Sequence, residues 1–167
     1  ALQPQKRTRA RLDGSLVVIT GATSGVGLAA ARRIARGGAD LILVCRNQEK
    51  AKRVKDELQQ AYSIEVSCFL ADFSDLDQVR TAAERILEST SKIDVLINNA
   101  GLHNTHRILT RAGYEEVFCV NHLASFLLTR LLLERLKVSA PSKILQVNSE
   151  GHRFGGLDLD DLTWGKR

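Results

Sequence analysis

The chain has 167 residues, of which 44% are hydrophobic and 26% charged, enough apolar material for the core of one domain. Its formal net charge of +5 arises in the N-terminal segment, where Lys6, Arg7, Arg9 and Arg11 precede Asp13; the other 20 Lys and Arg residues nearly balance all 19 Asp and Glu. Because the excess charge is confined to this segment, we expect no nucleic-acid-binding surface. The sequence has no uninterrupted run of roughly 20 apolar residues and no segment that resembles a secretory signal, so we expect neither a membrane span nor secretion.

Five apolar, β-branched runs alternate along the chain with segments of helical periodicity. The predicted strands are Leu16–Thr20, Leu41–Arg46, Glu65–Ala71, Val95–Asn98 and Lys143–Asn148. The predicted helices lie near Gly25–Arg36, Glu49–Ala61, Asp75–Glu88 and Tyr114–Lys137. Such alternation predicts right-handed βαβ units and hence one α/β domain with a parallel sheet. Gly37-Gly38 is expected to end the first helix, and Ser74 to cap the third.

Three glycines lie between the first strand and the first helix, in 20-TGATSGVG-27. Glycine permits positive φ and close approach of a ligand to the backbone, and the N–H groups at a helix start hold a pyrophosphate. The residues expected to bind a dinucleotide here are Gly21, Ser24, Gly25, Val26 and Gly27. The alternative is a glycine turn without a ligand. No Lys follows these glycines, whereas the phosphate-binding loop of enzymes that hydrolyse nucleoside triphosphates requires one. Such hydrolysis is therefore disfavoured.

The second predicted strand ends at Arg46, where dinucleotide-binding folds carry an acid for the ribose 2′-hydroxyl or an Arg for a 2′-phosphate. No Asp or Glu occurs between Leu41 and Gln48. Arg46 therefore predicts NADP(H) rather than NAD(H), with the Ser24 hydroxyl as a further phosphate ligand. The alternative is that Arg46 only solvates the end of the strand.

Cysteine and histidine usage predicts neither disulfides nor a metal site. Cys45, Cys68 and Cys119 lie in apolar, periodic segments without metal-ligand spacing, which suits a reducing compartment. His103 and His106 have no third candidate ligand nearby.

Five short motifs occur in the order that the short-chain dehydrogenase/reductase family shows. They are TGATSGVG at 20–27, AD at 71–72, NNAG at 98–101, VNHLASFLLT at 120–129 and VNS at 147–149. CRN at 45–47 and FLLT at 126–129 most resemble the retinol-dehydrogenase-like branch, which acts on retinoids, steroids and lipid aldehydes with NADP(H). The resemblance implies a Rossmann-type, doubly wound parallel sheet of order 3-2-1-4-5. It also implies hydride transfer between NADP(H) and a carbonyl or alcohol substrate.

The resemblance further assigns residues to the adenosine side of a cofactor site. Asp72 would hold the adenine amino group and Phe73 would flank its ring, while Asn99, Ala100 and Gly101 would line the same side. The alternative for Asp72 is a helix-capping role together with Ser74.

Two residues match the family's catalytic positions. Asn121, which we expect to be buried, would distort the long helix and hold a water of the proton relay. Ser149 would hydrogen-bond the substrate oxygen as charge develops on it.

The family's acid/base pair, Tyr-x-x-x-Lys, does not occur in this sequence. The only tyrosines are Tyr62 and Tyr114, and Val66 and Phe118 stand four residues after them. We expect residues 1–13 to form a basic tail, and residues 14–167 to form a dinucleotide-binding domain that stops before the Tyr and before the last strands of the sheet. Two hypotheses follow: an oxidoreductase whose Tyr and Lys lie beyond Arg167, or an inactive fragment that binds a cofactor or a partner.

The resemblance also concerns partners and location. It implies a small-molecule carbonyl or alcohol substrate, a homodimer formed through the long helices, and membrane association through an anchor preceding 6-KRTRAR-11. The expected location is the cytoplasm or the cytosolic face of the endoplasmic reticulum membrane, without secretion.

Overall fold

The computed structural model describes residues 11–150 and 158–166, so most of the predicted basic tail lies outside the described residues. The strands are β1 (Leu16–Thr20), β2 (Asp40–Cys45), β3 (Val66–Leu70), β4 (Val95–Asn98) and β5 (Lys143–Gln146). They pair in parallel, in the order β3-β2-β1-β4-β5. The predicted doubly wound α/β sheet of order 3-2-1-4-5 is therefore confirmed.

Helices connect the strands on both faces of the sheet. They are α1 (Gly25–Arg36), α2 (Gln48–Ala61), α3 (Leu76–Ser89), the single turn α4 (Glu116–Phe118) and α5 (Ala124–Val138). A π-helical turn, Cys119–Leu123, joins α4 to α5. The long helix predicted from Tyr114 therefore begins later, at Glu116, and contains a π-helical turn at Asn121. The fifth strand also ends earlier than predicted, at Gln146 instead of Asn148.

Two apolar layers hold the helices against the sheet. On one face, α1 and α2 pack small and branched side chains such as Ala31 and Leu58 onto the sheet. On the other face, α3 and α5 bury residues such as Ile86, Leu128 and Leu132. Burying each large aliphatic side chain contributes about 1.5–3 kcal/mol. These layers fix the carboxyl ends of the strands, from which the site residues project.

Of two helix ends predicted from the sequence, the structure confirms the end of α1 and corrects the start of α3. Gly38 has φ +92° and its N–H donates to the carbonyl of Ala35, so the predicted glycine stop after α1 is confirmed. The N-cap of α3 is Asp75 and not Ser74, because the Asp75 carboxylate accepts the N–H groups of Asp77 and Gln78. Ser74 instead donates, through its N–H and its hydroxyl, to the carboxylate of Asp72, two residues earlier.

The continuous helical stretch Glu116–Val138 is long and apolar enough to cross a membrane, and 33% of its most apolar window is buried. Leu128, Leu132 and Leu136 are fully buried on its inner side, where the stretch packs against α3. This packing is that of a core helix in an α/β domain. By itself it is weak evidence for a membrane span.

Candidate functional site

A groove of about 450 Å³ runs along the carboxyl edge of the sheet. Every residue predicted to bind the cofactor lines it: Gly21, Ser24, Gly25, Val26, Gly27, Arg46, Asp72, Phe73, Asn99, Ala100 and Gly101. The structure adds residues without a predicted role: Thr23, Val44, Cys45, Ala71, Leu102, Val120 and Val147. Most of these additional residues lie beside predicted ones at strand ends or in the glycine turn, whereas Val120 lies in the helical segment that follows α4.

The turn between β1 and α1 forms the middle of the groove. Gly21 has φ +68° and Gly25 has φ +52°, conformations that favour glycine. At Gly27 a Cβ would collide with Nδ2 of Asn99 and the carbonyl of Gly21. The first turn of α1 carries no acidic residue, so the partial positive charge of its N-terminus is not offset locally. This part of the groove can accommodate an anion close to the backbone.

Thr20 ties the glycine turn to the loop that follows β4. Its buried hydroxyl accepts the N–H groups of Asn99 (3.0 Å) and Ala100 (2.8 Å). Nδ2 of Asn99 donates in return to the carbonyls of Thr20 (2.9 Å) and Gly21 (3.3 Å). Sequence reasoning gave Thr20 no role, although a hydroxyl at the end of a buried strand needs partners. The pairing fixes two walls of the groove relative to each other.

Arg46 and Asp72 lie at the β2–β3 end of the groove. Arg46 is exposed and forms no ion pair with the residues that the structure describes. Oδ1 of Asp72 accepts the backbone N–H (2.9 Å) and the hydroxyl (2.8 Å) of Ser74. Because Asp75 caps α3, Asp72 shapes the preceding turn rather than the helix end.

Asn121 is exposed, so the expectation that it is buried is wrong. It lies in the π-helical turn, and its side chain points toward the loop after β4 rather than into the core. Its Oδ1 accepts the N–H of Leu102 (2.8 Å), and its Nδ2 donates to the Leu102 carbonyl (2.9 Å). The side chain therefore fixes a residue of the groove wall.

Ser149 follows the end of β5 and is exposed, but it is not among the residues that line the groove. Val147 forms the groove wall on this side. The structure thus places Asn121 against the groove wall and leaves Ser149 outside it. Tyr62 ends α2, and Tyr114 lies in the loop before α4.

The three cysteines are free thiols in the structure. Burial, with a smaller contribution from Cys68, raises the pKa of Cys45 to about 12. Burial also raises the pKa of Cys68 and of Cys119. No group of three or more His, Cys, Asp or Glu side chains that could hold a metal ion occurs among residues 11–150 and 158–166. Of the three cysteines only Cys45 lines the groove, which therefore offers one protonated thiol beside its hydrogen-bonding groups.

Comparison with known proteins places this geometry in one family. The sequence model of the short chain dehydrogenase family matches residues 15–157. Human retinol dehydrogenase 13 is 40% identical over 96% of this chain, which covers 49% of that protein. Mouse retinol dehydrogenase 12 is also 40% identical over 96% of the chain, covering 51% of its length.

Solved structures agree with the sequence comparison. L-sorbose reductase from Gluconobacter frateurii, complexed with NADPH and L-sorbose, superposes with a TM-score of 0.70 at 26% identity, over 78% of this chain and 51% of that one. The chain thus spans about half the length of the curated relatives named above. Enzymes of the family act on small-molecule substrates with a nicotinamide cofactor. The chain belongs to the short-chain dehydrogenase/reductase family of oxidoreductases, in its retinol-dehydrogenase-like branch.

Proposed function

We propose that this chain forms the cofactor-binding part of an NADP(H)-dependent oxidoreductase. The reaction is hydride transfer between the nicotinamide and a carbonyl or alcohol substrate. The observation that carries the proposal is the groove itself, with a glycine turn at its centre and Arg46 at its β2 end. No carboxylate lies between Leu41 and Gln48 to bind a free ribose 2′-hydroxyl.

The groove fits a dinucleotide in shape as well as in composition. At Gly21 and Gly27 a Cβ would collide with Ala100, Asn99 or the turn itself, so the two glycines let the turn pack closely against the loop after β4 and keep the shape of the groove. The pyrophosphate would lie on the N-terminus of α1. Arg46 and the Ser24 hydroxyl would hold the 2′-phosphate; Ser24 is free to do so because its side chain does not cap α1.

The order of strands in the sheet separates the two ends of the cofactor. Arg46, Asp72 and Phe73 follow β2 and β3 at one end, where the phosphorylated ribose and the adenine would bind. Leu102, beyond Gly101 in the loop after β4, and Val147 after β5 lie at the other end of the groove, which we assign to the nicotinamide and the substrate. NADP(H), when bound, supplies or accepts the hydride.

At the reacting end, Asn121 would keep Leu102 and the adjoining helix in place, and Ser149 would donate a hydrogen bond to the substrate oxygen. Proton transfer to that oxygen needs an acid such as the family's Tyr, with its pKa lowered by a neighbouring Lys. Neither tyrosine of this sequence stands four residues before a Lys. We therefore assign turnover to a protein that contains this domain, residues 14–167, together with that pair.

We infer that the substrate is an apolar carbonyl or alcohol of the retinoid, steroid or lipid aldehyde class. The names of the two retinol dehydrogenases support this class.

We also place the protein in the cytoplasm or on the cytosolic face of an intracellular membrane. We propose that it forms a dimer through the outer face of α5. Exposed Phe126 and Val138 on that helix support the dimer.

The test compares cofactors in the native protein and in Arg46→Ala. Loss of a charge-assisted hydrogen bond to phosphate costs about 1.5–3 kcal/mol, or roughly tenfold to a hundredfold in affinity. We expect a protein that contains this domain together with the Tyr-Lys pair to reduce retinal with NADPH, and Arg46→Ala in that protein to raise KM for NADPH by that factor while KM for NADH changes little. Equal effects on both cofactors would contradict the assignment of Arg46, and absence of any turnover would contradict the enzyme function.

A further inference from the structure

A buried polar pair joins the end of β4 to α5. Asn98, the last residue of β4, is 2% exposed, and its Nδ2 donates to Oγ1 of Thr129 in α5 at 2.8 Å. The pair lies between the sheet and α5, in the layer where Leu96, Leu128 and Leu132 are fully buried. It is therefore a polar contact inside an apolar layer.

Stability does not account for this pair. Oδ1 of Asn98 is buried and has no hydrogen-bond partner among the residues that the structure describes. A buried acceptor without a partner destabilises a fold, whereas replacing both members of a buried polar pair by apolar groups of the same shape can be neutral or stabilising. Two valines would match the surrounding layer without leaving an acceptor unpaired. The position of the pair, next to the groove, offers another role.

The wall of the groove begins at the end of β4. The carbonyl of Asn98 accepts the N–H of Val147 (3.0 Å), which lines the groove. The chain then continues to Leu102, whose N–H and carbonyl pair with the side chain of Asn121 (2.8 and 2.9 Å). Asn98 does not line the groove itself, so it can act there only through the residues that it holds.

Two polar side-chain contacts connect the long helical stretch Glu116–Val138 to the end of β4 and its loop. Asn121, near the start of the stretch, bonds to Leu102, and Thr129, about two turns later, bonds to Asn98. Apolar contacts are non-directional, so they allow small rotations of a helix that a second hydrogen bond prevents. Without the bond to Thr129, the apolar layer alone would set where Asn121 lies relative to Leu102.

We propose that Asn98 is a positioning residue. Its bond to Thr129 sets how the long helix lies on β4, so that Asn121 meets Leu102 and fixes the wall at the end of the groove assigned to the nicotinamide. The pair gives the fold no net stability. The assignment of that end to the nicotinamide rests on the proposed function; the effect of Asn98 on Leu102 does not.

The test variant, Asn98→Val/Thr129→Val, removes both members of the pair. Valine has the branched shape of threonine and suits a strand, so the polar atoms are lost without a large cavity. Ser139→Ala is the matched control. The Ser139 hydroxyl accepts the N–H of Ile93 (3.0 Å) and donates to the carbonyl of Arg135 (2.6 Å), so it joins the other end of α5 to the chain before β4, away from the groove.

Stability and amide exchange of this chain test the positioning without any cofactor. In urea denaturation, we expect the double variant to be at least as stable as the wild type, and Ser139→Ala to be less stable. The Leu102 N–H, followed by NMR, should exchange about tenfold faster in the double variant, because its acceptor on Asn121 is displaced, and at the wild-type rate in Ser139→Ala. Thr129→Ser, which keeps the hydroxyl, should also exchange like the wild type.

Two results of these measurements would overturn the positioning role. One is a double variant that is less stable than the wild type or fails to fold, because the pair would then be an ordinary stabilising contact. The other is unchanged exchange at Leu102 in the double variant.

Cofactor binding tests the consequence at the groove. The compound 2′,5′-ADP has the adenosine end of NADPH without the nicotinamide, and it should bind equally to all these proteins. NADPH should bind about fivefold more weakly to the double variant, with less enhancement of its nicotinamide fluorescence, and equally to Ser139→Ala and the wild type. Unchanged NADPH affinity and fluorescence in the double variant would contradict the role of Asn98 at the nicotinamide end.

The same measurements separate this inference from the proposed function. If exchange at Leu102 is faster in the double variant but the wild type does not bind NADPH, the effect of Asn98 on the helix stands and the proposed function fails. If the wild type binds NADPH and the double variant changes neither exchange nor NADPH binding, the proposed function stands and Asn98 has no positioning role.

Discussion

At the scale of single residues, the shape of the groove depends on glycines, which have no Cβ, as much as on the side chains that line it. Gly27 shows this best, because a Cβ there would meet both Asn99 and the carbonyl of Gly21. Thr20 and Asn99 hold the surrounding backbone so closely that neither neighbour can move away independently. The glycine turn and the loop after β4 therefore both limit the space available at Gly27.

Gly27→Ala tests this constraint by the sign of its effect on stability. Alanine is about 1 kcal/mol better than glycine inside a helix, so without a collision the substitution would stabilise α1. Overpacking of the contact with Asn99 should instead lower the free energy of unfolding by about 1–3 kcal/mol and weaken NADPH binding. Urea denaturation measures the change, with Arg33→Ala on the exposed side of α1 as control. A more stable Gly27→Ala protein would show that Asn99 and the carbonyl of Gly21 leave room for a Cβ.

At the scale of secondary-structure elements, periodicity predicted each strand and the three helices that connect β1 to β4. It failed where a side chain pairs with backbone distant in sequence. The long predicted helix contains the π-helical turn, at which Asn121 pairs with Leu102. Its apolar neighbours suggested burial for Asn121, but the π-turn directs its side chain to the loop. Helical spacing cannot reveal such a turn, since the partner follows another strand.

The cap of α3 gives a prediction at this scale. Hydrogen bonds from the side chain of Gln78 and then from the backbone of Asp77 hold the pKa of Asp75 below its usual value. A carboxyl with a lowered folded-state pKa contributes stability above its unfolded value of about 3.9, and this is lost as the pH falls through the folded value. Asp75→Asn should therefore lower the melting temperature at pH 7, with a difference that shrinks as the pH falls below about 4.

Glu84→Gln is the control, because Glu84 is an exposed residue in the middle of the same helix. Its melting temperature should follow that of the wild type at each pH. Thermal denaturation followed by circular dichroism is sufficient for both variants. A deficit of Asp75→Asn that stays constant from pH 7 to acid would rule out the charge of Asp75 as its cause.

At the scale of the whole molecule, the strand order explains why the groove has two chemically different ends. The strand-helix alternation and the glycine turn, both visible in the sequence, predicted the sheet and the place of the glycine turn, whereas Asp72, Phe73, Asn99, Ala100 and Gly101 were assigned through the family resemblance. The roles of Thr20 and Leu102 were not predictable in this way, because each depends on a backbone partner brought close by the sheet. Ser149 matched a family motif, yet its place relative to the groove depends on how the chain leaves β5.

The central claim is that the groove binds NADP(H) and prefers it to NAD(H) through Arg46. The most direct measurement is calorimetric titration of this chain with NADPH and with NADH at the same low ionic strength. We predict that NADPH binds at least about tenfold more tightly, and that raising the salt concentration reduces the difference, as a phosphate–guanidinium contact requires. Equal affinity for the two cofactors, tighter binding of NADH, or absence of binding would contradict the account.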